Sequence, residues 1–267
     1  MAIKSKIKKL VPRPILQLYW KIRYPDFGNW WKYLTSPAPL NNFHKDYDQY
    51  WRIRGDIKTI LNRWRIAETQ IEDEGSLLEI GCGSGEFLTY LQGQKPNLKI
   101  EAIDISEVAV ERTHKRGFPA RVADLTRQTL PQDYDYMTCF EVLEHVPEAE
   151  AMMSEMLRHV RKKLIVSMPN VGCLRCRARL ALFGRFPITM IVLHMKEYVR
   201  FWTVKDFHEW VRHLGGEVVG IYGQYGGQHL PWKKMPGLFA WGLVYVIEPK
   251  PQGRLPDDVP KHMSPVG

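Results

Sequence analysis

Glu79 stands two residues before Gly81, and Gly81, Gly83 and Gly85 alternate with Cys82 and Ser84. Glycine reaches backbone angles closed to other residues and lets a ligand lie against the main chain. The helix N-terminus expected behind this turn offers unpaired N–H groups to the same ligand. Such a turn cradles a nucleotide-like molecule. The dinucleotide fingerprint needs a small residue where this chain has Glu86, and the phosphate-loop ending Gly-Lys-Ser/Thr is missing. A carboxylate before the turn suits a cationic or amino group better than a pyrophosphate. Asp104 follows Gly85 by 19 residues, the offset at which an acid accepts both hydroxyls of a ribose. An imidazole titrates near neutrality, so His145, at the far end of the motif region, is the candidate general base for a hydroxyl acceptor. A structural role beside Glu144 or the backbone is its competing reading, and Asp124 is equally a loop carboxylate or a helix cap.

Alternating strands and helices must carry these residues. Leu77–Ile80 is an apolar run ending at the glycine turn, and Phe87 to Leu91 is periodic as a helix. Leu98–Asp104 reads as the next strand, followed by a helix that Ser106 caps and Lys115-Arg116-Gly117 stops. Further strands are expected at 120–123 and 163–168, and a helix over 47–71. This alternation predicts right-handed βαβ units in a parallel sheet, with ligands beyond the carboxyl ends of the strands.

The segment Glu79-x-Gly81-x-Gly83-x-Gly85, with Asp104, Asp124 and Leu143-Glu144-His145 in order, resembles the class I S-adenosyl-L-methionine (SAM) methyltransferases over about residues 45–249. The resemblance implies an α/β fold: a doubly wound, Rossmann-like, seven-stranded sheet, mostly parallel with an antiparallel last strand, in which 134–147 is the fourth strand and the turn after it and 216–222 and 239–247 are the sixth and seventh strands. It implies SAM as cofactor, held by Glu79, Gly81, Cys82, Gly83, Gly85, Asp104, Ile105, Asp124, Leu125 and Glu141. Asp124 would meet the adenine amino group, and Arg54 would face the cofactor's carboxylate. Glu141, Glu144 and His145 are similar to the Glu-x-x-Glu-His of ubiquinone-biosynthesis O-methyltransferases, where magnesium is associated; no metal is assigned here. Pro169 to Gly172, Arg177 to Thr189 and Val199 to Phe207 resemble MetW-type proteins, which act with homoserine acyltransferase. Methyl transfer to a small-molecule acceptor, lipid-linked or saccharide, is therefore expected, with a SAM-binding partner of another enzyme as the alternative. The long N-terminal extension and the Glu-His pair depart from the MetW pattern.

At 267 residues the chain suits one domain with appendages: an extension over 1–44, a domain over 45–249 with a substrate-side insertion at 171–202, and a disordered tail over 250–267. The net charge is +9. Residues 1–35 hold eight Lys and Arg against one Asp, a net +7, among seven Trp, Tyr and Phe. Aromatics packed on the domain, an anionic membrane surface and, last, nucleic acid each fit that mixture. Leu174, Ala178, Ala181 and Leu182 share a side of a short amphipathic helix with Arg175 and Arg179 beside it, and Arg175, Arg177, Arg179 and Arg185 suit an anionic substrate or a solvated face. Four cysteines give no secreted framework, and the lone Cys173-x-x-Cys176 reads as thiols rather than zinc or redox chemistry. The longest stretch without a charged residue in its region, Met235 to Ile247, is too short to span a bilayer. A cytoplasmic protein, with peripheral membrane contact through residues 1–35 as one option, is expected.

Overall fold

A computed structural model describes residues 34–35, 46–187, 199–225 and 234–250. Two short helices come first, α1 (Tyr47–Ile53) and α2 (Asn62–Gln70). The alternation then runs β1 (Ser76–Ile80), α3 (Glu86–Gln94), β2 (Lys99–Asp104), α4 (Glu107–Lys115), β3 (Ala120–Val122) and β4 (Tyr134–Phe140). A 3-10 turn at Leu143–His145 leads to α5 (Ala149–His159), β5 (Val160–Pro169) and α6 (Leu174–Phe183). The described chain closes with α7 (Val204–His213), β6 (Gly216–Tyr225), α8 (Pro236–Phe239) and β7 (Gly242–Pro249).

The strands form one seven-stranded sheet in the order β3-β2-β1-β4-β5-β7-β6. β1 pairs parallel with both β2 and β4, so the strand order reverses there, and the ends of β1 and β4 flank the crevice where such sheets bind ligands. β7 pairs antiparallel with β5 and with β6, and it alone runs against the rest. The expected doubly wound sheet is what the chain forms. Alternation along β1 shows why: Leu77 joins Trp64, Phe87, Leu88 and Leu91 on one face, while Leu78 and Ile80 join Met137, Met153, Met156 and Phe207 on the other. A strand buried on both faces reads as a continuous apolar run, the pattern of parallel sheets.

Three local expectations need correction. The helix expected over 47–71 is two helices, because the chain leaves α1 at Arg54 with an extended backbone (ψ 126°) ahead of Gly55. The strand expected from Phe239 starts at Gly242, since Pro236 opens the four-residue helix α8 instead. On α6, Leu174, Leu180 and Leu182 are exposed, and Cys176 and Arg179 are the buried residues. Arg179 reaches burial by donating from Nε to the Phe186 carbonyl (2.9 Å).

The basic extension falls almost wholly outside the described residues, as do 251–267 of the expected tail and 188–198 of the insertion. Among the described residues no helix is long and apolar enough to cross a membrane.

Candidate active site

The turn between β1 and α3 is built on main-chain geometry. Gly81, Gly83 and Gly85 have φ of 73°, 57° and 75°, which a side chain would strain. Gly81 N and Cys82 N both donate to Ile103 O (2.8 and 3.1 Å), fixing the turn to β2. Gly85 caps α3 without a side-chain hydrogen bond, so the first turn of the helix keeps N–H donors for a ligand. The Cys82 sulfur packs 3.5 Å from Thr113 Oγ1 on α4. Burial, chiefly, pushes that thiol far above the ordinary range.

Asp104 ends β2 and ties it to the turn: Oδ2 accepts from Gly83 N (2.9 Å) and Oδ1 from Ser106 N (2.9 Å). Burial raises its carboxyl above the ordinary value, and those main-chain donors oppose the rise. The following Ile105 is 55% exposed, an apolar surface beside a ribose-type acceptor. Asp124 accepts from Thr126 N (3.0 Å) and Thr126 Oγ1 (2.6 Å), with Arg127 Nε at 3.6 Å, so its carboxylate closes the turn after β3; Leu125 beside it is buried. Glu79 is only 3% exposed, and its Oε2 has no hydrogen-bond partner among the described residues. Burial first, then the charges of Glu86 and Asp104, push its carboxyl well above the ordinary range, against the pull of Arg63.

Across the crevice, Glu141 follows β4 with φ 55°, the one non-glycine at positive φ among the described residues. Its Oε1 accepts from Ser167 Oγ (2.9 Å) and Gln224 Nε2 (2.6 Å), and its buried Oε2 has no partner among the described residues. His145 lies half-buried at the end of the 3-10 turn, with its N–H donating to Val142 O (2.9 Å). Glu144 is buried, and its carbonyl accepts from Val199 N (2.9 Å) and Arg200 N (3.2 Å). No three His, Cys, Asp or Glu side chains among the described residues converge as metal ligands would, so no metal step is derived from Glu141, Glu144 and His145.

The sequence offers Tyr47, Tyr50 and Trp51, at helical spacing, either as a cover over the cofactor or as a core stripe. α1 lies over the glycine turn, and a Cβ at Gly83 would run into the Trp51 indole. Asp48 Oδ1 accepts from Ser106 Oγ (2.5 Å) and Val108 N (3.3 Å). Arg112 Nη1 donates to Arg54 O (2.9 Å), and Ile57 N to Glu86 Oε1 (3.1 Å). The Arg54 guanidinium stacks over Tyr50 and Trp51 at 5.2 and 5.3 Å. None of Tyr47, Tyr50 and Trp51 is buried, so the stripe is not core; Ser167 and Gln224, which hold Glu141, gave no sequence signal. On α6, Arg177 Nε donates to Gly172 O (2.6 Å) and Arg175 covers the Trp241 ring at 4.0 Å; Arg185, past the Gly184 cap, is off the helix and exposed.

The site fits a SAM-like ligand on three of these observations: a glycine cradle that a Cβ would fill, an acid at the end of β2, and an orphaned buried carboxylate oxygen at Glu79. Comparison with known proteins agrees. The family model described as a methyltransferase domain matches residues 50–220. The ubiquinone biosynthesis O-methyltransferase of Hydrogenovibrio crunogenus is 28% identical over 140 residues, 48% of this chain and 57% of the relative. That of Saccharophagus degradans is 24% identical over 203 residues, 71% of this chain and 85% of the relative. The first of these alignments thus spans little more than half of the relative's length. A TehB-like SAM-dependent methyltransferase from Corynebacterium glutamicum superposes with a TM-score of 0.53 at 18% identity, covering 76% of this chain and 96% of that one, a likeness of fold.

Proposed function

Because this chain belongs to the class I SAM-dependent methyltransferase family, we propose that it transfers the methyl group of SAM to an oxygen of a small-molecule acceptor. The observation that carries this is Glu79, buried with an orphaned oxygen beside three positive-φ glycines and Asp104. Bound SAM supplies a methyl group already electrophilic on its sulfonium. The chain's part is then alignment and exclusion of water. Asp104 presents its carboxylate to a ribose diol through lone pairs that Gly83 N and Ser106 N leave over. Glu79 meets a cationic or amino group, which offsets its desolvation. Trp51 and α1 cover the turn. His145, on the turn after β4, takes the proton from an acceptor hydroxyl. The O-methyltransferase names of the curated relatives support an oxygen acceptor. A lipid-linked or saccharide acceptor is the class we assign, in keeping with the cationic, aromatic residues 1–35.

The test is mass spectrometry of a cell extract incubated with the purified chain and methyl-labelled SAM, alongside calorimetric titration with SAM. Binding at micromolar Kd, about 8 kcal/mol, with label appearing in a small molecule is expected. No SAM binding to the folded chain sinks the proposal. Binding without turnover in any extract replaces it with a SAM-binding partner of another enzyme.

A further inference from the structure

Cys173 and Cys176 bracket the entry to α6, directly after β5 has delivered the chain to the crevice end of the sheet. Their sulfurs are 3.3 Å apart. Cys173 is the N-cap residue of this ten-residue helix. Its sulfur makes no side-chain capping hydrogen bond, but it sits at the positive end of the helix dipole, the environment that favours a thiolate. Cys176 Sγ also lies 3.7 Å from Asn170 O. Asn170 in turn pins the turn to α8 and the start of β7, through Nδ2 to Gly237 O (2.8 Å) and Ala240 O (2.9 Å). All four cysteines of the chain are described, none is in a disulfide, and no other two of them are paired in this way.

We propose that Cys173 and Cys176 are a reversible dithiol–disulfide site, oxidised by small peroxides with Cys173 as the attacking thiol and Cys176 as the resolving one. In the first step the Cys173 thiolate attacks a peroxide oxygen and the O–O bond breaks. Cys173 becomes a sulfenic acid, and the departing hydroxide takes up the proton that Cys173 released, forming water. In the second step Cys176 attacks the sulfenic sulfur, loses its proton to the departing oxygen, and a second water leaves as the S–S bond forms. Two electrons pass from the two sulfurs to one peroxide. The sulfurs need to close by little more than 1 Å to reach the disulfide length of about 2.05 Å.

Electrostatics agree with the assignment of roles. The neighbouring Cys176 sulfur, first, and the main-chain N–H groups of Cys176 and Arg175 pull the Cys173 thiol down to about 7 despite its burial. Burial pushes the Cys82 and Cys139 thiols the other way, so they are poor nucleophiles at neutral pH. Cys173 and Cys176 are each only 3% exposed, which favours an oxidant as small as hydrogen peroxide over bulky disulfides. The site is independent of the methyl-transfer reading.

The experiment treats the full-length chain with hydrogen peroxide, blocks remaining thiols and digests it with trypsin under non-reducing conditions. Arg175 lies between the two cysteines, so cleavage there leaves two peptides joined only if the disulfide has formed. The linked pair is expected, with Cys82 and Cys139 still alkylated, and dithiothreitol should separate it. Cys176→Ser should stop at a sulfenic acid on Cys173 that dimedone traps, and Cys173→Ser should lose about ten-fold in rate of oxidation, the gap between a half-ionised and an ordinary thiol at pH 7. Absence of the linked pair in the unmutated protein, or oxidation starting at Cys82 or Cys139, overturns the proposal.

Discussion

Glu79 and Glu141 each keep one buried carboxylate oxygen without a partner among the described residues, and each stands at a strand end flanking the crevice. For Glu79 the consequence is measurable before any ligand is added. Its folded carboxyl is raised above the ordinary 4.5, so its contribution to the ligand-free fold is whole below that value and is lost as pH rises toward the folded one. Glu79→Gln should therefore gain stability relative to the unmutated chain as pH rises above about 4.5, by about 1.4 kcal/mol per pH step of one until the folded carboxyl itself ionises. Its affinity for SAM should fall. Melting temperatures of both proteins across about pH 4 to 9 check this, and parallel curves would deny Glu79 the role. His145→Ala should keep SAM affinity and lower turnover by about 10²–10⁴-fold if the imidazole is the base. An unchanged single-turnover rate in a stable mutant leaves proximity alone as the catalytic device. Glycines, Glu79 and Asp104 were legible in the sequence because backbone geometry ties residue type to position there. Ser167 and Gln224, which hold Glu141, lie 26 and 83 residues from it, and no local pattern announces a contact made only when the sheet closes.

At the scale of elements, the cover over the glycine turn is the part that the strand–helix alternation does not contain. α1 buries none of its residues, so it draws its place from ties at its rim: Asp48 to Ser106 and Val108, and Arg112 to the Arg54 carbonyl. Trp51→Ala should leave the melting temperature nearly unchanged, because half-buried surface positions move stability by about 0.5 kcal/mol or less. It should weaken SAM binding by about 1–2 kcal/mol through lost aromatic contact. Calorimetry on the variant decides it, and equal affinity would reduce α1 to a bystander. The sequence showed a helix here but not its break, because Gly55 in an otherwise polar stretch permits a turn without demanding one. Parallel strands were easier: β1, β4 and β5 are apolar on both faces, and that run has few other readings. The buried side of α6 was not legible, because Arg179 enters the protein through a carbonyl partner rather than through apolar spacing.

For the whole molecule, charge is the strongest uneven feature: +7 of the net +9 sits in residues 1–35. Removing that segment should preserve SAM binding and abolish co-sedimentation with anionic liposomes, and the full-length chain should release them as salt shortens the screening length to about 8 Å and below. Equal sedimentation of both proteins, or of neither, would refute membrane contact. The sheet order carries a different kind of consequence. β7 is the last strand among the described residues yet lies inside the sheet, between β5 and β6. During synthesis β6 therefore emerges with no neighbour to join, and it must wait, edge open, until residues 242–249 have left the ribosome and slotted between it and β5. The five earlier strands can meet in chain-local order, while completion of the Gln224 clasp on Glu141, and with it the crevice, is postponed until β7 has been made.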